Sequence, residues 1–353
     1  MSETFLKYRK RLAAAVWALA AAAFLNGCGA SGENISQGMQ AIGNLDYQSA
    51  LASFEQAQAL GENERLIYRG MGIAYMGMTD YTQAASCFET ALELADGVVE
   101  SMDYDLNFYL AAAYTKSGRL SEAETTYDAV LAMRPGEEEA YFLRGNVRLG
   151  LGKYEEAQAD FDKVAAMDPQ NYDRLIQIYE VLHNCGYTES GQLYLQNALQ
   201  KEDGKMGAYD KGRIYFFLGD YQQAAVYLEQ AKEKGGAQAY LYLGKAYEAM
   251  GDFNYASNVY NTFLAGDTTN AEIYNQLGLC ELTKGDYEKA LTAFQSGMNV
   301  EDNRMMQTLS FNEIVAYEYL GDFKKAAVLM ETYLQNYPDD EKARREYGFL
   351  QTR

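Results

Sequence analysis

The stretch Gly219-Asp220-Tyr221-Gln222-Gln223-Ala224 decides the fold, because the chain repeats its pattern. Gly-Asp, an aromatic, then alanine three residues later returns at Gly251-Asp252-Phe253 with Ala256. It returns again at Gly285-Asp286-Tyr287 with Ala290 and at Gly321-Asp322-Phe323 with Ala326. Looser copies are Asp46-Tyr47 with Ala50, Asp80-Tyr81 with Ala84, Gly118-Arg119-Leu120 with Ala123, and Gly152-Lys153-Tyr154 with Ala157. A degenerate copy is Gly186-Tyr187-Thr188 with Gly191. The third residue of each falls at 47, 81, 120, 154, 188, 221, 253, 287 and 323, at intervals of 32 to 39 residues and most often 34. Such a period marks a repeated supersecondary unit.

The residue types say what the unit is. Glycine ends a helix by taking positive φ without a Cβ penalty. The aspartate beside it caps the next helix. Alanine three after the aromatic lets two helices approach. A glycine nine before the aromatic does the same in the first helix: Gly38, Gly72, Gly145, Gly212, Gly244 and Gly278. Glycine inside a helix costs about 1 kcal/mol against alanine, so its recurrence implies a packing need. Seven residues after the turn aromatic comes a large ring: Phe54, Phe88, Tyr127, Phe161, Tyr260 and Phe294. Pro135, Pro169 and Pro338 are placed to stop second helices.

This pattern closely resembles the tetratricopeptide repeat, a helix-turn-helix of 34 residues. The resemblance implies an all-α protein, a right-handed α-solenoid of about nine repeats over 34–340 with a concave groove. Residues 341–353 are expected to form a polar-faced C-terminal capping helix. The third repeat departs from the pattern at Leu120 and follows an insertion near 99–103. The fifth has Thr188 and Gly191 for the aromatic and the alanine.

The first 27 residues read as a lipoprotein signal peptide. Lys7, Arg9, Lys10 and Arg11 precede an uncharged apolar run from Leu12 to Leu25. Fourteen residues are too few to span a bilayer as a helix, but suit an export signal. Leu25-Asn26-Gly27-Cys28 resembles the lipobox of bacterial lipoproteins, which implies cleavage before Cys28 and acyl chains on its sulfur; Asn26 is an unusual residue there. Residues 28–33 would be a short tether of about 20 Å reach. The expected location is outside the cytoplasm, anchored to a bacterial membrane by the N-terminal lipid.

Composition excludes several roles. The 353 residues carry a net charge of −20, which removal of the signal would take to −23. Nucleic-acid binding needs a basic stripe, so it is not expected. No CxxC is present, and Cys87, Cys185 and Cys280 lie in the second, fifth and eighth repeats. Units that touch only their neighbours keep such cysteines apart, so three free, mostly buried thiols are expected. His183 is the only histidine, and neither GxSxG nor a Walker loop occurs, so no catalytic site, metal or cofactor is expected beyond the lipid on Cys28. Gly70-Met71-Gly72 falls inside a helix, and Glu137 to Glu139 sit at a helix start where the macrodipole favours acids. Sixteen of the thirty-one tyrosines recur at fixed repeat positions and read as core.

The family resemblance implies that first-helix residues twelve, eight and five before the turn aromatic line the groove. Read that way, the middle of the groove is polar and aromatic: Phe142, Asn146, Glu180, His183, Tyr209, Arg213, Phe216, Leu241, Lys245 and Glu248. Arg213 and Lys245 either hold an acidic group of a bound peptide or pair with Glu180 and Glu248. The lysine–asparagine carboxylate clamp of chaperone-binding relatives is not matched at Arg69/Ile73, Phe142/Asn146 or Tyr209/Arg213. The expected function is a membrane-anchored extracytoplasmic scaffold for a protein or peptide partner, with cell-envelope assembly as one setting. The alternative is a surface solute- or glycan-binding lipoprotein.

Overall fold

The computed structural model describes residues 32–353 except 202, 203 and 302. The expected signal peptide, the acylated Cys28 and most of the tether lie outside those residues. Every regular element described is an α-helix. They run α1 Glu33–Gly43, α2 Tyr47–Ala59, α3 Glu64–Gly77, α4 Tyr81–Glu93, α5 Ser101–Ser117, α6 Leu120–Met133, α7 Glu138–Gly150, α8 Tyr154–Met167 and α9 Tyr172–Asn184. Then follow α10 Thr188–Gln200, α11 Ala208–Phe217, α12 Tyr221–Ala249, α13 Phe253–Leu264, α14 Ala271–Lys284, α15 Tyr287–Met298, α16 Met306–Tyr319, α17 Phe323–Asn336 and α18 Glu341–Leu350. A non-helical Gly236 (φ 58°, ψ −156°) divides α12 into the second helix of one pair and the first of the next. The described helices thus form nine pairs and a last helix. The chain makes two compact units, Met1–Tyr194 and Leu195–Arg353. Within each, a first helix packs on its own second helix and on the second helix of the pair before it.

The turns are built as their residues require. Glycines 118, 152, 186, 219, 251, 285 and 321 all adopt φ between 75° and 88°. In the two earliest turns Leu45 and Thr79 hold φ 62° with a side chain in place, a conformation that costs about 1–2 kcal/mol. The aspartates cap: Asp46 and Asp80 accept at 3.1 Å from the backbone N–H three residues on, and Asp252 and Asp322 at 3.0 Å. Asp286 makes no such bond, because its carboxylate faces the Lys289 ammonium at 2.8 Å.

The small residues meet the large ones inside each pair. A Cβ added to Gly38 would lie 2.7 Å from the Phe54 ring, at Gly72 2.4 Å from Phe88, and at Gly278 2.3 Å from Phe294. Gly244 would meet the Tyr260 ring at 2.2 Å. These rings are fully buried. Gly70 serves the neighbouring joint, where its Cβ would meet the Phe54 ring at 2.3 Å. In the degenerate fifth pair, Gly191 lies against the Tyr179 backbone, where a Cβ would come within 3.1 Å.

Charge stitches adjacent pairs together. Asp160 is 2% exposed and accepts from Arg144 and Arg148 of α7 at 2.5 and 2.8 Å, while Arg148 also reaches Glu124 of α6 at 3.0 Å. The insertion before α5 is held by Arg65, which bonds Asp103, Glu100 at 3.4 Å and the Ala91 carbonyl at 3.1 Å. Glu62, in the loop before α3, caps α1 by accepting from Asn34 N at 3.2 Å and Ile35 N at 3.1 Å. The last helix buries Ala343 and Leu350 in one cluster with Ile314 and Met330. Beside it, Glu318 of α16 faces Glu346 of α18, and burial with that second carboxyl pushes Glu318 up to about 7.

The three described cysteines are free and mostly buried, as the repeat spacing led one to expect. Cys87 and Cys280 are buried free thiols, raised by burial to about 11 and about 12. Cys185 is free but exposed, since it follows the last residue of α9, where the chain turns outward.

Two outcomes test this packing. Gly278→Ala gains about 1 kcal/mol of helix propensity. It must also displace a buried ring, at about 1–3 kcal/mol. Urea unfolding should therefore show a net loss of up to about 2 kcal/mol. Gly43→Ala, with nothing within 4 Å, should lose nothing. Glu318 binds its proton more tightly folded than unfolded, so its contribution is full below the unfolded value near 4.5 and is lost as pH rises through about 7. At pH 8, Glu318→Gln should slow tryptic cleavage at Arg344 and Arg345 relative to the parent chain; at pH 5.5 the two should match.

Candidate partner-binding surface

The first helices expose one row of residues and bury another. The row eight before the turn is half-buried at Asn146, Glu180, Arg213, Lys245, Leu279 and Val315. The row twelve before is mostly core: Ile35, Phe108, Phe142, Ile176, Leu241 and Asn275 are each 7% exposed or less, while Arg69, Tyr209 and Phe311 are half-buried. Phe142 and Leu241, expected to face a ligand, are therefore structural. A residue near the start of a first helix is trapped between its own second helix and the first helix of the next pair. Phe142 sits 6.0 Å from the Phe161 ring and 4.4 Å from the Arg174 guanidinium. Leu241 packs in one cluster with Tyr260 and Ile273. Arg174 also binds Glu138 at 2.9 Å and Glu139, so those acids have a partner beyond the helix dipole.

In the first unit, the Asn146 amide donates to the Phe142 carbonyl at 2.8 Å, a bond within its own helix. Glu180 is half-buried. His183 is exposed, stacked on Tyr179 with 5.5 Å between ring centroids, and its Nδ1 lies 3.0 Å from the Thr188 hydroxyl.

In the second unit, Arg213 donates to Asp210 at 2.8 Å and lies over the Tyr209 ring at 4.6 Å. These partners lie on its own helix, three and four residues back, the spacing at which helical side chains meet. Phe216 belongs to an aromatic cluster with Phe217, Tyr221 and Tyr242, at 5.4 to 5.6 Å between centroids. Tyr260 donates to Glu248 at 2.8 Å. Burial raises the Glu248 carboxyl above its ordinary value, while that hydrogen bond and the Lys245 charge pull the other way. Asp210, Phe217 and Tyr242 were absent from the sequence-read site. Asp210 was findable from its spacing to Arg213, whereas the aromatic cluster needs the fold.

Among the described residues, no group of three or more His, Cys, Asp or Glu could hold a metal ion. No described helix is long and apolar enough to cross a membrane.

Comparison with known proteins agrees on one family. A tetratricopeptide repeat model matches residues 69–138, 209–253 and 243–297, a second matches 138–171, and a third 311–340. The chain is 21% identical over 208 residues to the RNA polymerase II-associated protein 3 of Homo sapiens, covering 55% of this chain and 30% of that protein. It is 23% identical over 210 residues to the DnaJ homolog subfamily C member 7 homolog of Dictyostelium discoideum, covering 54% and 38%. The matches span about a third of the length of these curated relatives. A solved tetratricopeptide repeat protein from Parabacteroides merdae is 16% identical, with a TM-score of 0.44 over 80% of this chain and 97% of that one.

Proposed function

From a chain that belongs to the tetratricopeptide repeat family, we propose a protein-interaction scaffold that presents the first-helix face of its repeats to a peptide segment of a partner. One observation carries this reading. The row eight before each turn is half-exposed from Asn146 onward, while the rows that hold the stack together are buried. A family built for binding leaves there the side chains that packing does not consume.

The proposed contact surface lies in the second unit, on α11 and the part of α12 after Gly236. Phe216 and Tyr209 supply aromatic area, and Lys245 and Glu248 supply charge. Arg213 lies over the Tyr209 ring and donates to Asp210, so in this reading it positions that ring for the partner. In the first unit, the corresponding proposed residues are Asn146, Glu180 and His183.

We further propose that Cys28 carries acyl chains and tethers the array outside the cytoplasm of a bacterium. The basic start, the 14-residue apolar run and the lipobox-like Leu25-Asn26-Gly27-Cys28 support this. Two acyl chains make such an anchor stable. An envelope-assembly role is the setting in which an anchored binding scaffold has a use.

The test combines in-cell crosslinking with mass spectrometry of the detergent-extracted chain. Phe216→Ala with Lys245→Ala should abolish one defined crosslinked partner and leave the helical circular dichroism unchanged. A partner retained at full yield would remove the assigned surface. Recovery of permease subunits alone would replace the scaffold reading with solute capture. Cys28→Ser should move the chain from the membrane fraction to the soluble one; unchanged membrane association would sink the anchor.

A further inference from the structure

The connections from one helical pair to the next change character along the first unit. α6 and α7 are joined by Arg134-Pro135-Gly136-Glu137, and α8 and α9 by Asp168-Pro169-Gln170-Asn171, with no large apolar side chain in either. The two earlier connections are different. Residues 60–63, between α2 and α3, expose Leu60 at 72%. The longer connection between α4 and α5, residues 94–100, exposes Leu94, and also Val98 at 64% and Val99 at 73%.

Hydrogen bonds place these residues on one edge, beside the start of α1. Glu62, two residues after Leu60, accepts from the backbone N–H groups of Asn34 and Ile35 at 3.2 and 3.1 Å. From the start of α3, Arg65 donates to the Ala91 carbonyl near the end of α4 at 3.1 Å, and to Glu100 before α5 at 3.4 Å. Leu60 and the valine-bearing loop thus flank the point where the chain enters the array. The turns within pairs, at Leu45 and Met78, stand at the other end of the helices, about 20 Å away along α3.

The acids of the long connection are turned inward. Asp96 accepts from the Val98 N–H at 2.9 Å, and Gly97 makes the bend with φ 86°. The Glu100 carboxylate faces Arg65. What this loop offers outward is an adjacent pair of apolar side chains, which gain free energy by leaving water.

Cys28 lies five residues before Glu33, so the tether allows a reach of about 20 Å. An acyl anchor there holds this edge of the first unit, and not the opposite one, at the bilayer. We propose that this edge docks on the lipid surface, with Leu60, Val98 and Val99 entering the boundary between headgroups and acyl chains. The inference rests on the acylation of Cys28 proposed above. Tethering makes the contact effectively intramolecular, so a few side chains suffice. Glu64 and Glu93, exposed where α3 begins and α4 ends, favour a zwitterionic bilayer over an anionic one.

The test uses the native acylated chain in phosphatidylcholine vesicles brominated on the acyl chains. Trp17 is the only tryptophan and falls in the expected signal peptide, so one introduced indole reports alone in the cleaved chain. Leu60→Trp should be quenched by the bromolipid, and Met78→Trp should not. Adding Val98→Asp and Val99→Asp to the Leu60→Trp chain should reduce the quenching about threefold or more. Mass spectrometry of the same preparation reads Cys28. Absence of acyl chains there would overturn the anchor and this docking together. Acyl chains present with equal emission from the Leu60→Trp and Met78→Trp chains, or quenching undiminished by the two aspartates, would overturn the docking alone.

Discussion

The contact of a helical glycine with a buried ring is the constraint on which the rest depends. At Gly38, Gly72, Gly145, Gly244 and Gly278 a single added carbon would lie 2.2 to 2.7 Å from the facing aromatic. The two helices of a pair are therefore closer than any side chain at that site allows. Close approach fixes the pair, and the pair offers its outer faces to its neighbours. Glycine's helix cost of about 1 kcal/mol is borne repeatedly because the ring it admits buries far more than that.

Once the pairs are fixed, variation falls on the joints between them. The position six before the turn shows this well. At Tyr247 and Tyr317 the ring packs against the clusters on both its sides. Where it is Arg148, the guanidinium is met by Glu124 from the preceding pair and by Asp160 from its own. Where it is Glu281, the Ser257 hydroxyl and the Lys284 ammonium, which lies within 3.2 Å of both oxygens, meet the carboxylate beside an open cavity. One backbone geometry thus yields a packed ring, an ionic stitch and an open cavity from one substitution series.

The repeat period, the turn glycines, most aspartate caps and the glycine–ring contacts were legible because each rests on local geometry within one helical pair. Positions between pairs were less so. Phe142 and Leu241 were read as ligand-facing, but the next pair's first helix covers them. For Arg213 the sequence left open an acidic ligand group or internal pairing with Glu180 and Glu248; the structure adds Asp210 and the Tyr209 ring, both on its own helix. Gly236 replaces the whole loop between two pairs, which no period could show.

The distribution of charge follows from the same architecture. Arg65, Arg144, Arg148 and Arg174 are each 13 to 17% exposed at the side chain and are engaged with acids across helix joints. These four cations work between helices, while others such as Lys289 and Arg345, 67 and 80% exposed at the side chain, stand at the surface of a chain whose net charge is −20. Such a surface repels acidic partners at long range and steers basic ones toward it.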